Sequence, residues 1–468
     1  MIPSNSTHHI VIIGGGPGGY EAALAGRQLG AEVTLIEREG IGGSAVLTDV
    51  VPSKTLIATA TAAETIRTAS SLGLNVSIDP GTSLVDLKSV NARLLDLAKA
   101  QSNEMKQNLT SAGVRIINGT GRLDGNHAVI AEVEEQKPER LDAKTIVLAV
   151  GARPRTLASS EPDGERIFTW KQLYNLTELP EHMIVVGSGV TGAEFASAYL
   201  SLGSQVTLVS SRDFVLPGED LDAAVLIEEV FRNRGMRILK KTRADKVERT
   251  ANGVKVSLQD GTVVEGSHCL IAVGSIPNTQ NLGLEQAGVL TKDSGHVIAN
   301  RVARTSRANV YAVGDCTDFY PLASVASMQG RTAVFHTMGE VAAPTQKRNI
   351  ASNVFTSPEI ASVGWSESDI QEGLTQGQIQ KILLSTNPRA KMQGIQDGFI
   401  KLFARTGSGT VLGGVVVGPS ASELIYPIAI AVENRLTVDE LSRTYTVYPS
   451  LTGTIADAAK SLYTPNMD

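Results

Sequence analysis

Residues 9–19 read His-Ile-Val-Ile-Ile-Gly-Gly-Gly-Pro-Gly-Gly, a β-branched run followed at once by closely spaced glycines. Residues 20–29 are rich in alanine and leucine and favour a helix. Residues 32–36 form a second apolar run, which ends before Glu37. This order predicts a strand, a glycine turn, a helix and a second strand parallel to the first.

The spacing of the glycines is typical of a dinucleotide site. We expect Gly14 to permit the tight turn, Gly16 to let the backbone approach a pyrophosphate, and Gly19 to let the helix pack on the strand. The helix N-terminus would then offer N–H groups to the phosphates. Glu37 follows Gly14 at the spacing of a carboxylate that accepts hydrogen bonds from a ribose. The alternative for Glu37 is a solvated charge at a strand end.

The same pattern occurs a second time. Residues 183–186 and 206–209 are strand-like, residues 193–202 are helix-like, and the turn between them carries the second glycine set, Gly187, Gly189 and Gly192. The position equivalent to Glu37 is Ser210, and Arg212 follows it. Without a carboxylate to repel a 2′-phosphate, the second site is expected to accept NADPH, and NADH as well, with Arg212 as a phosphate partner. The alternative for Arg212 is an exposed surface charge.

Composition excludes several classes of protein. The 468 residues carry a net charge of −6 without a basic block, so no nucleic-acid footprint is visible. The two cysteines, Cys269 and Cys316, match no disulfide or metal-binding spacing, and we expect no metal site. No apolar run approaches the roughly 18 residues of a membrane-spanning helix. The N-terminus lacks the features of a signal peptide, which predicts a cytoplasmic protein.

Two strand-like segments, 146–154 and 270–278, each end in glycine and proline and bracket the second pattern. They predict an inserted domain, residues 152–279, between two parts of a first domain, residues 1–151 and 280–350. A further apolar run, residues 310–313, leads into Asp315 at the carboxyl end of a strand, where ligands bind in open α/β sheets. The alternative for Asp315 is a helix cap or a turn.

Residues 351–468 have a different pattern of predicted strands and helices from the two glycine-turn regions. Residues 398–404 and 410–418 are strand-like, and residues 420–435 predict one strongly apolar helix with Ser420 as its cap. Such a helix needs cover on more than one face, so we expect an α+β domain that packs on a partner subunit, with burial inside one subunit as the alternative. The predicted fold class is α/β, with two Rossmann-like dinucleotide-binding domains and this C-terminal dimerisation domain.

Further motifs occur in a fixed order along almost the whole chain. They include Gly42-Gly43-Ser44, Val51-Pro52-Ser53-Lys54, Gly151-Ala152-Arg153-Pro154 and Val313-Gly314-Asp315. Together with the two glycine turns they resemble the pyridine nucleotide–disulfide oxidoreductases, the family of lipoamide dehydrogenase and glutathione reductase. The resemblance implies FAD at the first site, NADPH or NADH at the second, and a homodimer.

The resemblance also implies roles for individual residues. Lys54 and Glu194 would pair beside the flavin as catalytic residues, with Asp315 on the ribityl chain. Residues expected to line the FAD site are Gly14, Gly16, Gly19, Glu37, Gly43, Ser44, Lys54, Gly121, Gly151, Asp315 and Ala323. Those expected at the nicotinamide nucleotide are Gly187, Gly189, Gly192, Glu194, Arg212, Ala244 and Gly274. For Lys54 the alternative is a surface lysine.

The sequence departs from the family at the residues that carry thiol chemistry. The two cysteines of the family's redox disulfide are replaced by Ala45 and Val50, and neither side chain can be a nucleophile. The family's C-terminal His-Pro-Thr-x-x-Glu stretch reads Tyr448-Pro449-Ser450-Leu451-Thr452-Gly453 here. Tyrosine is a poor base at neutral pH, and Gly453 cannot orient it.

Hydride is therefore expected to pass from NAD(P)H to the flavin and then directly to an acceptor, without a protein disulfide. Quinones suit this step because they are flat, partly apolar and take two electrons. The whole pattern resembles the bacterial lipoamide-dehydrogenase-like flavoproteins that act as NAD(P)H:quinone reductases. Tyr448 of the partner subunit would donate a hydrogen bond to the quinone, or would simply pack. The alternatives are a diaphorase or oxidase with another acceptor, and a flavin- and nucleotide-binding regulator without catalysis.

Overall fold

A computed structural model describes residues 8–76 and 83–463 of the chain. Within this part the chain forms two compact units. Of the described residues, the first contains 8–55, 91–155 and 274–346, and the second contains 56–76, 83–90, 156–273 and 347–463. The predicted division into four segments stays a prediction.

The first unit is built on a parallel five-stranded sheet. Its strands, in spatial order, are Val310–Ala312, Thr145–Leu148, His9–Ile13, Glu32–Glu37 and Arg115–Asn118. Alternate residues of His9–Ile13 face opposite sides, so Ile10 and Ile12 enter one apolar core and Val11 and Ile13 enter the other. Because the strands are parallel, their carboxyl ends lie along one edge, where the first glycine turn begins.

Helices and two smaller sheets complete the first unit. A three-stranded antiparallel sheet is formed by Thr120–Leu123, Ala128–Glu132 and Glu139–Asp142. A two-stranded one pairs Ala152–Pro154 with Ser275–Pro277. The helices of this unit are Pro17–Gln28, Gly43–Leu47, Leu284–Ala287 and Ala323–Met338, together with the start of Val50–Thr68 and most of Leu87–Ser111. The first of them begins at Pro17, earlier than predicted, because proline suits the first position of a helix.

The second unit repeats the parallel arrangement. The strands of its parallel sheet, in spatial order, are Arg237–Leu239, Gln205–Val209, His182–Val186, His268–Ile271 and Ile167–Phe168. A three-stranded antiparallel sheet follows, with strands Ala244–Arg249, Val254–Leu258 and Val263–Gly266. Its helices are Val190–Leu202 and Leu221–Asn233. The second glycine turn therefore leaves a central strand, as the first does.

The C-terminal part of the second unit contains an antiparallel five-stranded sheet. Its strands, in spatial order, are Ser352–Val354, Glu359–Gly364, Val411–Gly418, Phe399–Arg405 and Gly377–Leu383. Its helices are Glu367–Gln371, Pro388–Met392, Ala421–Leu424, Tyr426–Glu433, Val438–Arg443 and Gly453–Leu462. These helices cover an apolar core that includes Val416, Leu424 and Ile428. The prediction of an α+β texture for this region is confirmed.

The single helix predicted over residues 420–435 is wrong in detail. The chain forms two helices, Ala421–Leu424 and Tyr426–Glu433, which are separated at Ile425. Pro427 lies at the start of the second helix, where it has no N–H to continue the first. Ser420 occupies the N-cap position of the first helix as predicted, but its backbone is left-handed and its side chain makes no capping hydrogen bond.

Candidate functional site

The first glycine turn has the geometry that its spacing predicts. Gly14 has a φ of 104°, and a Cβ there would lie 2.2 Å from the carbonyl oxygen of Ala149. A Cβ at Gly19 would lie 1.9 Å from the carbonyl oxygen of Gly14. At Gly16 the nearest such atom is 4.0 Å away, so the backbone is open there. Gly14 and Gly19 are thus required by the fold, whereas Gly16 leaves room for a ligand.

Glu37 ends the second strand and reaches back to this turn. Its carboxylate accepts hydrogen bonds from the N–H groups of Gly15, at 2.6 Å, Glu39, at 2.6 Å, and Gly40, at 3.2 Å. These donors fix the carboxylate beside the turn, with the oxygens keeping further lone pairs. This is the position from which a carboxylate can accept from ribose hydroxyls, a role that stays a prediction.

The second glycine turn reproduces the first. Gly187 has a φ of 113°, and its Cβ would lie 2.1 Å from the carbonyl oxygen of Ala272. A Cβ at Gly192 would lie 1.9 Å from the carbonyl oxygen of Gly187, whereas nothing lies within 4 Å of a Cβ at Gly189. Neither Gly16 nor Gly189 offers a side-chain cap to the helix it starts. Both helix N-termini therefore suit phosphate binding.

The residue that replaces the ribose carboxylate in the second site is buried. The Ser210 hydroxyl lies 2.7 Å from the Ser188 hydroxyl in the glycine turn, and the N–H of Arg212 donates to it at 3.1 Å. The Arg212 side chain is exposed. The position thus carries no negative charge and has an exposed cation nearby, so it does not repel a 2′-phosphate.

Two further residues, Ala244 and Gly274, were predicted to contact the nicotinamide nucleotide. Ala244 begins the strand Ala244–Arg249, and Gly274 has a φ of 99° with nothing within 4 Å of a Cβ. Gly274 belongs to the first unit and Ala244 to the second. Their contacts with a nucleotide stay predictions.

Glu194 is 4% exposed, on the helix that follows the second glycine turn. Its Oε1 accepts a hydrogen bond at 2.9 Å from the N–H of Phe355, and the nearby Ser197 hydroxyl accepts one at 3.0 Å from the N–H of Ser357. Both donors lie in the loop after the strand Ser352–Val354, and no sequence pattern near Glu194 indicated them. Glu194 is thus held rigidly. Lys54 lies on the helix Val50–Thr68 in the first unit, and its pairing with Glu194 stays a prediction.

Asp315 lies in a short turn directly after the strand Val310–Ala312, at the carboxyl edge of the first sheet. Burial raises the pKa of its carboxyl group, against a smaller opposite effect of His296. The neighbouring Gly314 N–H donates at 2.8 Å to the side chain of Gln329, on the helix that begins at Ala323. A half-buried carboxyl group at this edge suits hydroxyl donors of a ligand.

The other predicted FAD residues divide into two kinds. Gly43 and Ser44 begin the helix Gly43–Leu47, and a Cβ at Gly43 would lie 3.0 Å from the Cα of Gly16, which brings this segment against the first turn. Gly151 has a φ of 62° with open space around it. Gly121 is different, because a Cβ there would meet the side chains of Ile13 and Ile36. Its small size therefore has a packing explanation.

Comparison with known proteins agrees with this geometry. Residues 8–330 match the family described as pyridine nucleotide-disulphide oxidoreductase, and residues 350–459 match its dimerisation domain. The chain belongs to this family. The predicted resemblance and fold class are therefore confirmed, and so is the assignment as an oxidoreductase flavoenzyme that uses FAD and NAD(P)H. The open glycine positions and the anchored Glu37 fit these groups.

Two curated relatives and one solved structure match almost the whole chain. An NAD(P)H dehydrogenase (quinone) of Mycobacterium tuberculosis is 49% identical over 97% of this chain and 93% of its own length. A dihydrolipoyl dehydrogenase of Zymomonas mobilis is 31% identical over 97% of both chains. The crystal structure of LpdA from Mycobacterium tuberculosis has a TM-score of 0.94 and 48% identity, covering 98% of this chain and 100% of that one.

Within this pyridine nucleotide-disulphide oxidoreductase, the positions of the redox cysteines hold Ala45, in the helix Gly43–Leu47, and Val50, at the start of the next helix. The two cysteines of the chain lie elsewhere. Cys269 and Cys316 are fully buried, and burial raises the pKa of each thiol to about 12. Neither thiol is available as a nucleophile at neutral pH.

Tyr448 lies in an exposed segment between the helices Val438–Arg443 and Gly453–Leu462. Its side chain is 81% exposed, and those of Tyr445 and Val447 are exposed as well. Such an apolar segment is typical of a protein–protein interface. Its contact with an acceptor stays a prediction.

Two further features concern metals and membranes. Among the described residues, three carboxylates, those of Asp220, Asp222 and Glu367, are close enough together for a metal ion, but the ammonium group of Lys401 lies among them. None of the helices in residues 8–76 and 83–463 has the length and hydropathy to span a membrane.

Proposed function

We propose that this protein is an FAD-dependent NAD(P)H:quinone oxidoreductase that works as a homodimer without a redox-active disulfide. The observation that carries the proposal is the replacement of both redox cysteines by Ala45 and Val50 beside two complete glycine turns. The name of the Mycobacterium tuberculosis relative supports the same acceptor. The predicted cytoplasmic location is part of the proposal.

Bound FAD would supply the hydride chemistry, accepting two electrons from the nicotinamide and giving them to the acceptor. The chain's own residues bind and orient. The second glycine turn and Arg212 hold the nicotinamide nucleotide, and the Phe355 N–H keeps Glu194 in one orientation. Lys54 offers a positive charge where negative charge develops.

Three exposed large side chains, those of Tyr426, Ile430 and Tyr448, support the homodimer. Tyr426 and Ile430 remain exposed on the helix Tyr426–Glu433, and Tyr448 lies in the exposed segment that follows. All three fall within residues 350–459, which match the family's dimerisation domain. A second copy of the chain would cover these side chains, and the Tyr448 hydroxyl would then donate a hydrogen bond to the quinone.

Oxidation of NADPH by the flavin-loaded protein, with and without a soluble quinone, tests the proposal. We expect rapid bleaching of the flavin by NADPH and strong stimulation of turnover by the quinone. Bleaching with no preference for quinones over dyes or oxygen would favour a diaphorase or oxidase. No bleaching would contradict an enzyme and favour a regulator.

A matched pair of variants tests the acceptor contact. Tyr448→Phe removes only the hydroxyl and should lower kcat/KM for the quinone several-fold, without changing the rate of flavin bleaching. Tyr445→Phe makes the same change three residues earlier in the exposed segment and should have no effect. Equal behaviour of the two variants would remove the hydroxyl of Tyr448 from the acceptor site.

A further inference from the structure

Lys401 is a charged residue in the middle of an apolar strand. The strand Phe399–Arg405 reads Phe-Ile-Lys-Leu-Phe-Ala-Arg, and the lysine is 1% exposed, between Ile400 and Leu402, which are fully buried. Lysine is almost never fully buried unless it is paired. Its place in the fold therefore depends on its partners.

Those partners come from outside its own strand. The Lys401 ammonium lies 2.9 Å from both carboxylate oxygens of Asp220 and 2.9 Å from Oδ2 of Asp222, and it also pairs with Glu367. Lys381, directly opposite on the neighbouring strand, pairs with the same Oδ2 of Asp222 at 2.9 Å. Burial alone would lower the pKa of Lys401, but the three carboxylates outweigh it and raise the pKa.

Asp220 makes a second set of hydrogen bonds besides its ion pair with Lys401. It is the N-cap of the helix Leu221–Asn233, and its Oδ1 accepts hydrogen bonds from the N–H groups of Asp222, at 3.1 Å, and Ala223, at 3.3 Å. The same Oδ1 is within 2.9 Å of the lysine ammonium. One carboxylate thus joins the start of this helix to the C-terminal sheet.

The helix directly follows the loop that carries Arg212. That loop, residues 210–219, is fixed at its start by the hydrogen bond from the Arg212 N–H to the Ser210 hydroxyl. It is fixed in the middle by the N–H of Leu216, which donates at 2.9 Å to the carbonyl oxygen of Ser188 in the second glycine turn. The loop ends at Asp220, the N-cap residue of the helix, whose carboxylate binds the Lys401 ammonium.

We propose that Lys401 is a positioning residue for the nicotinamide nucleotide: it holds Asp220, and through it the loop 210–219, against the second glycine turn. Lys401 itself does not touch the nucleotide. Without it the more exposed Lys381–Asp222 pair alone of these ion pairs ties the end of the loop to the sheet, so binding must order the loop further and the nucleotide is held less tightly. The proposal rests on the nucleotide role of this turn within the proposed function, not on the identity of the acceptor.

Asp220→Asn and Lys401→Met test the proposal in the flavin-loaded protein. Asparagine remains a good N-cap but loses the charge that Lys401 binds, so the helix start is kept while the tether is weakened. We expect a rise of about tenfold in the Kd of 2′,5′-ADP by titration calorimetry and an equal rise in the KM for NADPH. The kcat and the flavin content should change by less than about twofold.

Lys401→Met removes the cation that three carboxylates share, of which Asp222 still pairs with Lys381. Its binding data therefore count only if thermal unfolding shows that this variant is folded. Asp220→Asn decides otherwise. Lys460→Met is the matched control, because it removes an exposed lysine that pairs with Asp457 on the helix Gly453–Leu462. It should leave both constants unchanged.

A fall in kcat with an unchanged Kd for 2′,5′-ADP in the folded Asp220→Asn protein would overturn the proposal, as would unchanged values throughout. The quinone plays no part in the binding measurement. Weaker binding of 2′,5′-ADP in a protein that quinones fail to stimulate would therefore leave this inference standing and contradict the proposed acceptor. Unchanged binding in an active quinone reductase would do the reverse.

Discussion

Glu37 is the side chain that we expect to bind the ribose at the first site. Three backbone N–H groups already hold its carboxylate beside the first glycine turn. Hydrogen bonds from ribose hydroxyls to a charged acceptor contribute about 1.5–3 kcal/mol, which corresponds to about tenfold or more in Kd. Glu37→Ala should therefore lower the flavin retained per protein after gel filtration, measured by absorbance.

A neighbouring glutamate supplies the control. Glu39 lies two residues after Glu37, and its exposed carboxylate pairs with Arg38. Glu39→Ala should leave the flavin content unchanged. Flavin content equal to that of the unaltered protein in Glu37→Ala would exclude the ribose role.

We expect Arg212 to determine how strongly the second site prefers NADPH over NADH. Since Ser210 presents only a hydroxyl, the exposed guanidinium of Arg212 is the charge expected to meet a 2′-phosphate. Arg212→Ala should raise the KM for NADPH by about tenfold and that for NADH by less than about twofold, in steady-state assays with a saturating acceptor. Lys246→Met, which removes an exposed cation paired with Glu248, is the control. Equal effects on both nucleotides would make Arg212 a simple surface charge.

Local residues were predictable and distant partners were not. The roles of Gly14 and Gly19 follow from a spacing of a few residues, and the structure shows the close approaches that require them. The N–H group that holds Glu194 belongs to Phe355, 161 residues away, and Lys401 lies 181 residues from Asp220. No pattern within one segment indicates such contacts, since they depend on how separate segments pack. A lysine inside an apolar strand was the only visible signal.

At the level of elements, two of the three glycines of the second turn, Gly189 and Gly192, are expected to serve binding and folding separately. Gly189 has a φ of −73°, which alanine adopts readily, and a Cβ there would meet nothing within 4 Å. Gly189→Ala should fold normally but raise the KM for NADPH several-fold, because its methyl group projects where the pyrophosphate approaches. Thermal unfolding and steady-state kinetics check both expectations.

Gly192→Ala is the contrasting change on the same helix. Its Cβ would lie 1.9 Å from the carbonyl oxygen of Gly187, so the helix must move away from its strand. We expect unfolding several degrees lower, or failure to fold. Full stability in Gly192→Ala, or loss of stability in Gly189→Ala, would contradict this division of roles.

Boundaries of elements were the weakest predictions. The helix predicted over residues 420–435 relied on an apolar run and on Ser420, but the run contains Pro427, whose missing N–H divides it. The glycine-turn helices were predicted to start late, because Pro17 and Val190 were assigned to the turns. Hydrophobic runs indicate that an element exists better than where it begins.

The helix start at Asp220 also gives a pH dependence. A hydrogen bond from Lys381 lowers the pKa of Asp222. Burial opposes this effect, but a second hydrogen bond, from Lys401, adds to it, and the pKa is lowered overall. A carboxyl group with a lowered pKa stabilises the fold above its unfolded pKa, and this contribution is lost as the pH falls through the folded value. The thermal unfolding temperature should therefore fall from about pH 5 to about pH 3, and less steeply in Asp222→Asn. Asp457→Asn, at an exposed ion pair, should leave the slope of unfolding temperature against pH as it is in the unaltered protein. Identical slopes in the unaltered protein, Asp222→Asn and Asp457→Asn would contradict the contribution of Asp222.

For the whole molecule, the decisive fact is which half of the family's chemistry it retains. Both glycine turns keep their close approaches and open positions, and Glu194 keeps a fixed orientation. The positions of the redox disulfide, Ala45 and Val50, carry no sulfur. Electrons that enter through the nucleotide site therefore have no thiol route out, and a directly reacting acceptor follows from this combination.

The whole chain contains only two thiols, and both are unreactive in the folded protein. Cys269 and Cys316 are fully buried with pKa values raised to about 12, so thiolate is scarce at neutral pH. Iodoacetamide should leave the native protein unmodified by mass spectrometry, before and after reduction with NADPH, and quinone-stimulated turnover should persist. The urea-unfolded protein is the positive control, in which both thiols react.

Oxidised lipoamide and glutathione disulfide should give no turnover, because disulfide reduction needs a nucleophilic thiolate that this fold does not present. Inactivation by iodoacetamide of the folded protein, or measurable turnover of either disulfide, would show that a thiol takes part after all.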